Sequence, residues 1–178
     1  MAFADLGDVQ LFYTDEGTGD PPMLFVHGYT GDSHDWSWQL PHFAATHRVI
    51  AVDLRGHGRS STPESGYEPL VFAADLARLL EHLGCAPVVA VGHSLGGGVA
   101  LQFAYQYPEH CERLVLVSTG GVGPDVHPVL RLASAPSAAL LLLPLLGLPG
   151  VRAAGRLLLN TLSILGTDIG IDARHFER

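Results

Sequence analysis

The chain is poor in the features that mark secreted, membrane-borne or nucleic-acid-binding proteins. It has 2 cysteines among 178 residues, Cys85 and Cys111. They form neither a C-x-x-C pair nor a Cys/His cluster with zinc spacing, so they read as reduced thiols of a cytoplasmic protein, with no disulfide framework and no metal site. Positive charge is scarce as well: 10 Lys+Arg against 18 Asp+Glu leave a net charge of -8. That balance offers no basic footprint for nucleic acid or anionic lipid. The opening MAFADLGDVQ lacks the basic and apolar regions of a signal peptide. The most apolar run, Ala138 to Leu148, is interrupted by Pro144 and Gly147 and falls short of the roughly 18 residues of a membrane span. No internal repeat is visible.

What is present suits one folded domain. Hydrophobic residues make up 47% of the chain and charged ones 16%, enough apolar surface for a substantial core. Phe3 to Glu16 reads as a β-hairpin with its turn at Gly7-Asp8. Short apolar runs follow at Met23–Val26, Arg48–Val52, Val88–Val91 and Leu114–Val117, each reading as a strand buried on both faces of a parallel sheet. Between them lie helical patterns at Asp35–Ala45, at Pro69–Leu83 with Gly84 as its stop, and from the elbow described next to about Tyr107. This alternation predicts βαβ units and a doubly wound, mostly parallel α/β sheet. After Thr119 the rhythm changes to a Leu/Ala-rich stretch broken by Pro136, Pro144 and Pro149. It reads as short helices, giving a core over residues 1–122 and a partial helical cap over 123–178.

The stretch Val88 to Gln102, VVAVGHSLGGGVALQ, holds the chemistry. A strand runs directly into Gly92-His93-Ser94-Leu95-Gly96 and then a helix, the arrangement of a nucleophile elbow, whose serine sits on a strained turn between small residues. Ser94 is the predicted nucleophile. Serine hydrolysis also needs a base, a carboxylate that orients the base, and donors for the oxyanion. The backbone N–H of Leu95 opens the helix and supplies one donor, and the loop after the third strand, His27-Gly28-Tyr29, supplies the second through Tyr29. A phosphate-binding reading of the glycine-rich turn is disfavoured. Gly92 to Gly98 has no Lys-Ser/Thr and no G-x-G-x-x-G spacing.

Taken together, the His27-Gly28 loop followed by Trp36, the Asp53-Leu54-Arg55-Gly56-His57-Gly58-Arg59-Ser60 loop, and the Gly92–Gly96 elbow resemble the α/β-hydrolase superfamily, in its serine esterase-like branch with a helical cap. The resemblance covers about Leu11 to Val117. It implies a sheet of order 1-2-4-3-5-6, no cofactor, and acyl transfer on an ester, thioester or related carbonyl compound with an apolar part. Serine in place of aspartate at the elbow argues against the carboxylate chemistry of the dehalogenase and epoxide hydrolase relatives. In the superfamily an acid and then a histidine follow the cap on two further strands, so the expected acid and base lie beyond Arg178, the sheet lacks its last strands, and activity of this chain is expected to be impaired. Within the chain, Asp125 and His175 are weak substitutes, while His93 and His27 read as structural neighbours of the site.

Two further expectations complete the sequence reading. The alternative function is a non-catalytic module that binds a small apolar ligand or a protein partner. A membrane role for Leu140–Leu148 is less favoured than lining a substrate pocket. The final strand, left as an apolar edge, predicts self-association.

Overall fold

The computed structural model describes residues 1–119. Its strands are Ala2–Asp5 (β1), Gln10–Glu16 (β2), Met23–Val26 (β3), Val49–Val52 (β4), Val88–His93 (β5) and Cys111–Val117 (β6). They form a 6-stranded sheet in the order β1-β2-β4-β3-β5-β6, the order the motifs imply. The hairpin strands β1 and β2 are antiparallel to their neighbours, and β4, β3, β5 and β6 run parallel. At the centre β3 lies in register with β5 from Met23↔Val89 to Val26↔Gly92. The expected cap, residues 123–178, lies outside the described residues.

Strand side chains alternate between the faces of the sheet, and the two faces divide the core. Leu24, Val26, Ile50, Val52, Val88 and Ala90 share a buried cluster with Phe72, Leu76, Leu79, Leu80, Val99 and Phe103. Met23, Phe25, Val49, Ala51, Val89 and Val91 pack with Trp36 and Leu40 in the other. This two-sided burial is why the central strands are uninterrupted apolar runs. Helix α2, Pro69–Leu83, supplies much of the first cluster. Its Phe72, Leu76, Leu79 and Leu80 recur at helical spacing, Pro69 occupies the first turn where a missing N–H costs nothing, and Gly84 closes the end at φ 58. Truncating Leu76, which is fully buried, should cost about 2–5 kcal/mol. Helix α3, Leu95–Gln106, follows the elbow and packs on the same face through Val99, Ala100 and Phe103.

Two expectations are corrected. The helix read over Asp35–Ala45 is instead a 3-10 turn, Ser33–Trp36, and a short helix α1, Leu40–Ala44. The Asp32 carboxylate accepts the His34 N–H at 2.7 Å and starts the turn. Pro41 has no N–H and tolerates only the first turn of a helix, so the helix begins again at Leu40. Trp38 is left exposed on the segment between them. The last strand begins earlier than Leu114, at Cys111, and it is not buried on both faces: Val115 is 43% and Val117 40% exposed. Among the described residues β6 pairs on one side only, with β5.

Candidate active site

The elbow is strained where the motif requires it. Ser94 has φ 52 and ψ -114, outside the regions open to ordinary L-residues, a conformation that costs about 1–3 kcal/mol. Its N–H donates to the Val117 carbonyl at 3.0 Å, and its own carbonyl accepts from Gly97 N–H at 3.1 Å. The turn is thus held by β6 on one side and by the first turn of α3 on the other. The flanking glycines are needed for close approach. A Cβ on Gly92 would collide with the Gly96 carbonyl and the Gly97 Cα, and one on Gly96 would collide with the carbonyl oxygens of Val26 and His27.

The loop after β3 comes up beside this turn. A Cβ built on Gly28 would stand in ordinary contact with Ser94 Cβ at 3.5 Å and at a tight 3.1 Å from His93 Nδ1, so the loop backbone lies beside both residues. The loop itself is a turn in which Gly31 N–H donates to the Gly28 carbonyl at 3.1 Å. The same carbonyl accepts from His27 Nδ1 at 2.7 Å, while His27 Nε2 accepts the Leu54 N–H at 3.0 Å. These two bonds fix the tautomer: Nδ1 carries the proton and Nε2 does not. Burial pushes the ring's pKa down to about 4, against the raising effect of its bond to Gly28 and with the lowering effect of His57 nearby. A neutral ring so engaged is a brace, as the sequence reading expected, and has no lone pair free to take a proton from Ser94.

The loop Asp53–Ser60 is knitted to its surroundings through both backbone and side-chain bonds. Asp53 does bind backbone: Oδ1 accepts Ser33 N–H at 2.7 Å and Oδ2 accepts Arg59 N–H at 2.9 Å. Burial alone would raise this carboxyl, but the donors of Ser33 and Arg59 outweigh it and hold it below its ordinary value. Arg55 turns away to α2, where Nε and Nη2 form a two-pronged pair with Asp75 at 2.6 and 2.8 Å. Both side chains are almost wholly buried, at 2% and 1% exposure. Asp8 of the hairpin turn reaches the same guanidinium at 2.9 Å, and Arg78 bonds both Asp8 and Asp75. The partner for Arg55 was not legible because Asp75 lies on the next helix, 20 residues on.

Above the elbow lies a cavity of about 540 Å³ lined by Tyr29, Gly56, His57, Thr62, Tyr67, Phe72 and Leu95. Two of the three predicted site residues, Tyr29 and Leu95, therefore meet at one opening, and the third, Ser94, immediately precedes Leu95. Leu95 is the first residue of α3, where a backbone N–H has no carbonyl four residues back within the helix to serve it. No histidine among the described residues is hydrogen-bonded to the Ser94 hydroxyl, and His93 packs instead beside Gly28. Asp125 and His175 lie outside the described residues. Among the described residues no cluster of His, Cys, Asp and Glu could hold a metal ion, and no helix is long and apolar enough to cross a membrane.

Comparison with known proteins agrees with this geometry. An uncharacterized protein of Mycobacterium tuberculosis is 48% identical over 145 residues, covering 79% of this chain and 42% of that protein. A non-heme haloperoxidase of Rhodococcus erythropolis is 41% identical over 109 residues, covering 60% of this chain and 39% of its own length. Among solved structures, an esterase from Exiguobacterium antarcticum superimposes with a TM-score of 0.63 at 26% identity, over 67% of this chain and 45% of the esterase. The chain thus spans less than half the length of each of these proteins. The alpha/beta hydrolase fold family matches residues 21–146, which contain β3 to β6 and all of the elbow, and the chain belongs to that family.

Proposed function

We propose that Ser94 is the nucleophile of a serine hydrolase that cleaves an ester, thioester or related carbonyl compound with an apolar part. The observation that carries this reading is the conformation of Ser94 itself, a non-glycine residue held at φ 52 on a strand-to-helix turn, with Gly28 of the neighbouring loop beside it. In this reading the serine oxygen attacks the substrate carbonyl, and the negative charge that develops on the carbonyl oxygen is met by the N–H groups of Leu95 and Tyr29. The start of α3 adds the favourable end of its dipole. The proton of Ser94 passes to a histidine oriented by a carboxylate, both contributed from outside the described residues, and returns to the leaving group. Phe72, Tyr67 and Leu95 give the cavity apolar walls, which supports an apolar acyl or alcohol part.

The family alone does not choose this chemistry, since its members include a haloperoxidase and an esterase by name. Serine at the elbow favours acyl transfer over reactions that need a carboxylate nucleophile. The free thiols Cys85 and Cys111 fit the cytoplasmic setting proposed from the sequence. A fluorophosphonate probe tests the reading: covalent labelling of the chain, lost in Ser94→Ala, is expected. A folded chain that resists the probe would point to the other reading, a non-catalytic module that binds a small apolar ligand or a protein partner.

A further inference from the structure

The Asp53–Ser60 loop has no part in acyl transfer as described above, yet one of its side chains crosses to the loop that does. His57 Nε2 lies 2.7 Å from the Tyr29 carbonyl oxygen, and His57 Nδ1 lies 3.0 Å from the Arg55 carbonyl oxygen. Carbonyl oxygens only accept. A neutral imidazole has a single N–H and would set a lone pair against one of these oxygens, whereas an imidazolium donates to both. The contrast with His27, whose ring centroid is 5.2 Å away, is direct: that ring faces one acceptor and one donor and is satisfied only when neutral.

We propose that His57 is a positioning residue for the hydrolytic site, acting as an imidazolium that bridges the Arg55 and Tyr29 carbonyls and so fixes the Tyr29 peptide beside Ser94. The carbonyl and the N–H of Tyr29 flank one Cα, so a clamp on the first restricts the rotation that carries the second away from the oxyanion. The far end of the clamp is firm, because Arg55 is pinned to Asp75 and Asp8. When the ring loses a proton it keeps one bond and ceases to tie the two loops together. The groups that face it are His27 and Tyr29 from the loop after β3, Phe72 from α2, and the Arg55 backbone from its own loop. Tyr67 and Leu95 share its cavity. The nearby guanidinium groups are directed elsewhere, that of Arg55 to Asp75 and that of Arg59 to Asp53.

The proposal rests on the acyl-transfer reading for its consequence but not for its geometry, and two measurements separate the failures. Backbone-assigned NMR of the full chain with 15N-labelled histidine reads the His57 ring nitrogens between about pH 5 and 9. Both nitrogens are expected to be protonated at the acid end, with the Tyr29 and Thr30 amides shifting at the ring's own midpoint. A ring that is a single neutral tautomer throughout, or amides that ignore its titration, would overturn the proposal. In the second measurement, labelling of Ser94 by a fluorophosphonate is compared in wild type and His57→Phe. The wild type is expected to react about 10-fold faster below the midpoint, the scale of loss that slight misplacement of a reacting group produces, with the ratio falling toward unity above it. His57→Gln, whose donors sit on a single amide nitrogen and cannot span both carbonyls, should resemble His57→Phe. Equal rates at every pH in two folded, labelled proteins would sink the positioning role. If neither protein is labelled, the acyl-transfer reading fails and the ring nitrogens alone decide.

Discussion

The buried amide of Leu54 donates to Nε2 of the buried His27 ring over 3.0 Å, joining the end of β4 to the loop that leaves β3. The bond exists only while His27 is neutral. Burial sets the ring's pKa at about 4 in the fold against an ordinary 6.5, so between these values the unfolded chain binds a proton that the folded chain refuses. Stability from this group is complete above about pH 6.5 and is lost as pH falls toward 4, by about 3 kcal/mol in all. Chemical denaturation at stepped pH should show this slope in wild type and lose most of it in His27→Gln. Identical slopes in the two proteins would remove His27 as the cause.

Strain at the elbow has an equally direct consequence. Glycine adopts φ 52 without a Cβ penalty, so Ser94→Gly should raise the unfolding free energy by about 1 kcal/mol while abolishing reaction with a fluorophosphonate. Ser94→Ala removes the hydroxyl but keeps the Cβ, and should leave stability almost unchanged. A less stable Ser94→Gly protein would contradict the strain.

The Arg55–Asp75 pair should be costly to break and cheap to replace. Asp75→Leu or Arg55→Met removes the buried partner of a buried charge, leaving it only the more exposed Asp8 or Arg78, and should destabilise by about 3 kcal/mol, the lower end of the cost of breaking a buried pair. The double change Arg55→Met with Asp75→Leu removes both charges and should recover a large part of that loss. Equilibrium denaturation of the four proteins gives the coupling directly, and additive losses would mean that the two side chains act independently.

Solution behaviour offers a fourth expectation. With Val115 and Val117 exposed on β6 and no second neighbour for that strand among the described residues, the 178-residue chain should self-associate along this edge. Sedimentation should report species larger than a monomer, reduced by Val115→Lys, which places charge on the edge. A monodisperse monomer at the same concentration would refute this.

The parts legible in the sequence were those governed by local chemistry. Helix α2 was readable at both ends because Pro69 and Gly84 are start and stop signals and Phe72, Leu76, Leu79 and Leu80 keep helical spacing. The elbow was readable because Gly92 and Gly96 are required by contacts within a few residues of Ser94 and by the adjacent strand. The helix over Asp35–Ala45 was misread because its apolar spacing is helical while Pro41 and the Asp32 cap act against continuity. Burial of Leu114–Val117 was misread because an apolar strand does not announce how many neighbours it has. The Asp75 partner of Arg55 and the bridge made by His57 depend on elements brought together by the sheet, which no local pattern encodes.

The pairing of β3 with β5 bears on how distances at the site are measured out. Val26 and Gly92 form the final matched rung of this pair; β3 ends there, β5 continues to His93 against β6, and Tyr29 and Leu95 each lie three residues beyond the rung. The two backbone amides proposed to meet the oxyanion thus stand the same number of residues past one rung. Their spacing is therefore a property of strand alignment, and a slip by one residue would offset them by about 3.3 Å, more than a hydrogen bond tolerates. The apolar residues that lock this alignment, Leu24 and Phe25 on opposite faces, act as the gauge for the proposed reaction without touching it.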